Sequence, residues 1–299
     1  MLTFWLIFLA FVAVLLALDL GVFHKKDHVI GVREALVWTG IWILLSLAFS
    51  VAIYFIYDDS EHVLEYLTGY VIEKSLSLDN IFVMAAIFTY FKIPAVYQHR
   101  ILFWGILGAI VLRGAFILMG AVLIEHFSWV IYVFGVLLLY SAFKMLFLNE
   151  DEQDLSQNKI VKIARRFLPL TTKIEGHHFF IRENHKFFAT PLFLALIVVE
   201  LSDILFAVDS IPAIFGVTLD PFIVFTSNIM AILGLRSLYF ALAAMLGKFD
   251  KLKYAIVFVL AFVGIKMLIA DFVHIPTAVS LAVIVVSLVA GVIASQVKR

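Results

Sequence analysis

Five carboxylic acids, Glu73, Asp79, Glu200, Asp203 and Asp209, lie deep inside long apolar runs of this sequence. Five bases do the same: Lys74, Arg113, Lys144, Arg236 and Lys266. Asp19 and Asp271 fall near the ends of such runs. A charge held at depth in hydrocarbon costs about 2.5–3.5 kcal/mol even on a lenient insertion scale, so ten of them oppose insertion by about 25–35 kcal/mol before any pairing. They must therefore face one another inside a bundle. Simple neutralisation, five against five, is one outcome. It suits the bases: Lys144 and Lys266 lie toward helix ends where they can snorkel, and Arg113 and Arg236 are suited to bracing acids.

The acids point elsewhere. Residues six apart on a helix differ by roughly 120° and about 9 Å, so Glu73 and Asp79 do not share a face. A site using both needs a second helix or a broken one. Pro212 follows Asp209 by three residues, lacks an N–H, and clashes with the carbonyl of Val208. A break there would set a free carbonyl beside the Asp209 carboxylate and the Ser210 hydroxyl. Asp79 and Asn80 offer a matching pair, and Asn228 is a further amide. Hard oxygen donors of this kind suit Mg²⁺, Ca²⁺ or Mn²⁺. A proton relay through the same carboxylates is the alternative.

Other chemistries are poorly served. Cysteine is absent, which removes disulfides, thiol redox reactions and thiolate metal ligation. All nine histidines fall in connections or at the edges of the apolar runs, against haem or the usual Zn²⁺ and Cu²⁺ ligation at depth. His177 and His178 form a pair better read as a solvated face than as a metal site. The catalytic side chains of an enzyme are not in evidence, and no bound prosthetic group is expected.

The elements that position these residues follow from composition. The chain has 299 residues, 64% hydrophobic and 15% charged, with a mean hydropathy of +1.08 and zero formal net charge. Soluble domains carry about a quarter charged residues. Apolar runs predict spans near 2–22, 33–57, 64–90, 101–122, 128–148, 190–215, 221–246, 254–272 and 277–296. Backbone groups in lipid must bond internally, so each is expected to be a helix and the fold an all-α polytopic membrane protein of about nine transmembrane helices. Leu2 to Leu18 lacks a basic n-region and a cleavage site, and reads as the first span rather than a signal peptide. Every Lys and Arg outside the runs falls in one set of connections, including Lys25, Lys92, Arg100, Lys251 and Arg299. The opposite set carries Asp58, Asp59, Glu61, Glu65, Glu125 and Asp220. The positive-inside rule then places the N-terminus outside and the C-terminus in the cytoplasm. The longest connection, 149–189, holds Ile160, Ile163, Ala164, Phe167 and Leu168 at helical spacing, with Lys159, Lys162, Arg165 and Arg166 opposite. That is an amphipathic helix suited to lying on anionic lipid.

Two three-helix segments repeat. Glu73 precedes Asp79, and Asp203 precedes Asp209, by the same interval. The next helix of each half holds an arginine after Ile-Leu-Gly, Arg113 and Arg236, and Lys144 and Lys266 each open a Lys-Met-Leu on the third. Three helices per copy forces opposite orientations, an inverted-topology repeat with its site expected at the repeat interface near the midplane. The segments are 1–63 (two N-terminal helices), 64–148 (first repeat), 149–189 (loop), 190–272 (second repeat) and 273–299 (last helix).

At these residues the sequence resembles a family. Glu73-Lys-Ser-Leu-Ser-Leu-Asp79-Asn80, Glu200-Leu-Ser-Asp203, Ala207-Val-Asp209-Ser210-Ile-Pro212, Thr226-Ser-Asn228 and Ile232-Leu-Gly-Leu-Arg236, with His178-Phe-Phe in the loop, are similar to the TerC family and most of all to its Alx branch. The resemblance covers nearly the whole chain. It implies a bacterial inner-membrane protein, named historically for tellurium resistance and since associated with Mn²⁺ export and with metal supply to exported proteins. Carried over as ion ligands are Glu73, Asp79, Asn80, Asp203, Asp209 and Ser210, with Glu200, Asn228, Arg113, Arg236 and Lys74 in support. A tellurium oxyanion fits poorly, because an oxyanion site wants surplus cations. Three readings compete: a Mn²⁺-type exporter with possible proton coupling, an exporter of small organic or amino-acid solutes, and a non-transporting scaffold or redox subunit. Partners are the lipid bilayer and a divalent cation, with a homo-oligomer or the protein-export machinery as further possibilities and no nucleic acid.

Overall fold

The computed structural model describes residues 2–18, 30–147, 171, 176–183, 186–243 and 251–297. Within them lie ten helices: α1 (Leu2–Leu18), α2 (Val32–Tyr57), α3 (Ser60–Tyr90), α4 (Ala95–His126), α5 (Val130–Phe147), α6 (Pro191–Phe215), α7 (Pro221–Leu233), α8 (Leu235–Ala243), α9 (Leu252–Leu268) and α10 (Thr277–Val297). A short antiparallel hairpin, β1 (Phe180–Glu183) and β2 (Lys186–Ala189), precedes α6, with Ile181 opposite Phe188. The amphipathic helix expected at 160–168 lies outside the described residues.

The bundle encloses a charged cluster within a largely apolar core and is apolar on its surface. Phe55, Val111 and Phe143 are exposed, while Glu73 and Arg113 are fully buried. Such a distribution suits lipid and would be unstable in water. Helices α2, α4, α5, α6 and α10 are long and apolar enough to cross a membrane, and α7 with α8 make a sixth such segment if taken as one bent span. Helix α3 is longer than most of these but holds Glu73, Lys74 and Asp79 in its middle.

Packing assembles the acid-bearing helices. Helix α3 lies against α6 and α7, and α4 lies against α6 and α7. Helices α5 and α9 approach so closely that a Cβ on Gly135 would sit 3.1 Å from the Gly264 carbonyl oxygen, and one on Gly264 2.9 Å from that of Gly135. Small residues at crossing points are how membrane helices gain contact without a hydrophobic drive.

Two expectations are corrected. Pro212 does not break its helix: α6 runs unbroken through it to Phe215. The proline stands in the final turn, where Gly216 N–H still bonds the Pro212 carbonyl at 3.0 Å, so only one ladder bond is forfeited. The seventh run is not a single straight helix. It bends by 41° between α7 and α8, at Gly234. The hairpin was also not anticipated, because four-residue strands leave little periodic signal.

Candidate functional site

Local chemistry fixes the ends of the helices that matter. Asp59 caps α3, accepting from Glu61 N–H at 3.0 Å. That bond, with His62 beside it, holds the Asp59 carboxyl below the usual carboxylate range. Asp220 caps α7 by accepting from the N–H groups of Phe222 at 2.8 Å and Ile223 at 3.2 Å, with Pro221 preset for the first turn.

Midway along the bundle the buried Arg113 of α4 is the hub. Its Nε donates to Asp203 Oδ2 at 3.0 Å and its Nη2 to Asp203 Oδ1 at 2.7 Å, a two-pronged pair. Its Nη1 forms a short ion pair with Glu73 Oε1 and reaches Ser210 Oγ at 3.3 Å and Asn228 Oδ1 at 3.4 Å. Asn228 Nδ2 donates to Glu73 Oε2 at 2.8 Å, Ser77 Oγ to Glu73 Oε1 at 3.3 Å, and Asn80 Nδ2 to Asp203 Oδ1 at 3.4 Å. Four helices thus meet in one network. One guanidinium faces two carboxylates, so with both ionised the three carry one net negative charge. The buried Asn80 Oδ1 has no hydrogen-bond partner. Turning the amide over would set that oxygen against Asp203 instead.

The six residues expected as one ligand set are therefore divided. Glu73, Asn80, Asp203 and Ser210 converge, but around Arg113 rather than around an open position. Asp209 points away: its Oδ1 accepts from Ser141 Oγ of α5 at 2.6 Å. Asp79, half-buried on α3, is rotated from Glu73 by its six-residue separation. Among the described residues no group of three or more His, Asp or Glu side chains is arranged to hold a metal ion. Glu200 packs onto Gly108, where any Cβ would collide with its carboxylate, and its Oε2 is buried without a hydrogen bond. Lys74 donates to the Ala231 carbonyl at 3.0 Å. Sequence reasoning missed Ser77, Ser141 and the role of Gly108; a glycine in mid-helix was the one available hint.

A small cavity adjoins this network. It is lined by Leu102, Ile106, Val199, Asp203, Leu235 and Arg236, among others. Those of α4 and α6 belong to the first halves of their helices, so the cavity lies toward the end of the bundle where α4 and α6 begin. The opposite end is tied. Tyr57 donates to Asp220 Oδ2 at 2.7 Å, Thr218 to Glu65 Oε2 at 2.8 Å, and the Tyr57 and His62 rings stack 4.2 Å apart.

Apolar exterior, charged interior and long helices define a multi-pass, predominantly α-helical integral membrane protein. The chain belongs to the TerC family: residues 58–299 match that family, described as "Integral membrane protein TerC family". Similar proteins include the membrane protein STKORF319 of Myxococcus xanthus, 52% identical over 294 residues, covering 98% of this chain and 92% of the relative. The Alx protein of Escherichia coli K12, whose name marks it as a candidate membrane-bound redox modulator, is 48% identical over 94% of this chain and 90% of its own. A membrane protein of Rickettsia felis is 42% identical over 99% and 98%. No solved structure matches the chain significantly.

Proposed function

We propose that this chain is a bacterial inner-membrane exporter of a divalent metal cation, with Mn²⁺ as the favoured cargo, working by alternating access. The observation that carries the reading is the convergence of Glu73 and Asp203, from two different helices, on a buried position surrounded by oxygen donors. Asn80 Oδ1, Ser210 Oγ and Asn228 Oδ1 complete a set of hard ligands. Arg113 acts as the stand-in cation of the unloaded carrier. Incoming metal competes with the guanidinium for the two carboxylates, and Arg113 reclaims them after release. Leaving two buried carboxylates without any cation would be costly, so one or the other must be present. Asp79 and Asp209 serve the ion, or a counter-transported proton, at other points of the cycle.

An inverted repeat of the kind expected from the sequence fits this reading. Its symmetry pairs α3 with α6 and α4 with α7, and the packing of α3 on α7 has its counterpart in that of α4 on α6. A small cavity beside Asp203, with the far end of the bundle tied by Tyr57, Asp220, Glu65 and Thr218, gives the two ends the asymmetry a carrier needs. In this reading nine helices cross the bilayer, the N-terminus is outside, and the cavity faces the cytoplasm. A redox role, suggested by the Alx name, would need a borrowed centre, since this chain has no cysteine.

Reconstituted protein loaded with Mn²⁺, Mg²⁺ or Ca²⁺ and an internal pH dye tests the proposal. Mn²⁺ flux is expected from the native chain and its loss from Glu73→Gln and from Asp203→Asn. Normal flux from both variants would sink it.

A further inference from the structure

The bend between α7 and α8 is a second polar centre, separate from the carboxylates. Gly234 closes α7 with its N–H turned to the Ile232 carbonyl rather than to Met230 four residues back. Side chains from two other helices attend to the carbonyls so disturbed. Lys74 Nζ donates to Ala231 O at 3.0 Å. Ser46 Oγ lies 3.3 Å from Met230 O and 2.8 Å from the Trp42 carbonyl of its own helix, sharing one proton between them. The ammonium sits in a fitted space: a Cβ on Gly234 would lie 2.9 Å from Lys74 Nζ and 2.9 Å from Trp42 Cβ. Ser46 is fully buried and Trp42 nearly so.

Irregular backbone at membrane depth persists only where something satisfies its polar groups. Carbonyls exposed by a helix break are also the donors with which discontinuous helices hold small monovalent cations. We infer that the α7–α8 bend is a monovalent-cation site whose resident occupant is the chain's own Lys74 ammonium, tethered through α3. The adjacent Glu73 grips the same helix at Asn228, one turn earlier. Helix α3 therefore holds α7 at two levels, by a carboxylate on a side chain and by an ammonium on the backbone. This inference concerns the bend alone and holds whatever cargo the central cluster handles.

Removing the tether should open the site to a free ion. The full-length chain, Lys74→Ala and Lys74→Met are purified in detergent, and thermal unfolding is followed in ammonium, sodium or choline chloride at equal ionic strength. Lys74→Ala leaves room for a small cation, whereas Lys74→Met keeps the volume and removes the charge. The expected result is a saturable rise in Tm of several degrees for Lys74→Ala in ammonium or sodium, absent in choline, in Lys74→Met and in the native chain. No rise in Lys74→Ala, or an equal rise in Lys74→Met or in choline, overturns the inference. If neither variant is recovered folded in choline, recovery during purification in ammonium becomes the readout. Rescue of Lys74→Ala alone supports the site; rescue of both or of neither overturns it.

Discussion

Arg113 and Lys74 are both cations set among buried partners, and both are engaged with α7, yet they are held by different chemistry. Arg113 spreads a planar fork over two carboxylates, an amide and a hydroxyl. Lys74 places a single point charge on a backbone carbonyl. The contrast follows from what each faces. A delocalised guanidinium matches the geometry of carboxylates, while a compact ammonium on a flexible stem suits the end of a helix segment. One cation answers side-chain charge and the other answers a flaw in the backbone. The two should not be interchangeable.

The largest effect is expected at Arg113. Arg113→Met leaves Glu73 and Asp203 without a counter-charge and should cost about 3–5 kcal/mol, read as a collapse of folded yield and Tm in detergent. Arg113→Lys should recover only part of that loss, because the second prong on Asp203 is gone; full recovery would contradict the role given to the fork. At the bend, Lys74→Met should cost less, about 1–3 kcal/mol for one unsatisfied carbonyl. Comparing the Tm of Arg113→Lys with that of Lys74→Arg then sharpens the contrast. The longer guanidinium has no room beside Gly234 and Trp42, so Lys74→Arg should destabilise.

The smallest effects belong to the helix caps, far from either cation. Asp220→Ala should cost about 1 kcal/mol by removing the cap of α7, and in the same step it frees Tyr57. Asp59 has a lowered pKa in the folded chain, so its contribution is present at neutral pH and fades as the pH falls through that lowered value. Protection of the first turn of α3 against hydrogen exchange, taken relative to the intrinsic rate at each pH, should fall with acid in the native chain and lose that dependence in Asp59→Asn.

The sequence made much of this legible, and the reasons differ by level. Apolar runs bounded by polar residues located most helix ends within about four positions, because length and hydropathy are local properties, though the fourth helix starts at Ala95 rather than 101. The need for ten charges at depth to find partners was equally plain. Which partner each would find was not. Glu73 meets Arg113 across 40 positions and Asn228 across 155, separations that no spacing rule reaches. Pro212 was the obvious breaker, yet in the last turn of α6 it disturbs only one bond. Gly234 stands in the sequence only as part of the Ile-Leu-Gly before Arg236. It breaks its run because Ser46 and Lys74, on two other helices, stand ready to serve the carbonyls it disturbs.

In the proposed cycle Glu73 and Asp203 hand their oxygens from Arg113 to a divalent ion. Mn²⁺ titrated into the purified protein, with the free ion followed by its electron paramagnetic resonance signal, tests this directly. Paired Glu73→Gln and Asp203→Asn substitutions keep the shape of the site and remove its charge. At least a tenfold loss of affinity is expected in that variant and none in a control carrying Glu61→Gln and Glu125→Gln. Unchanged Mn²⁺ affinity in the folded double variant would contradict it.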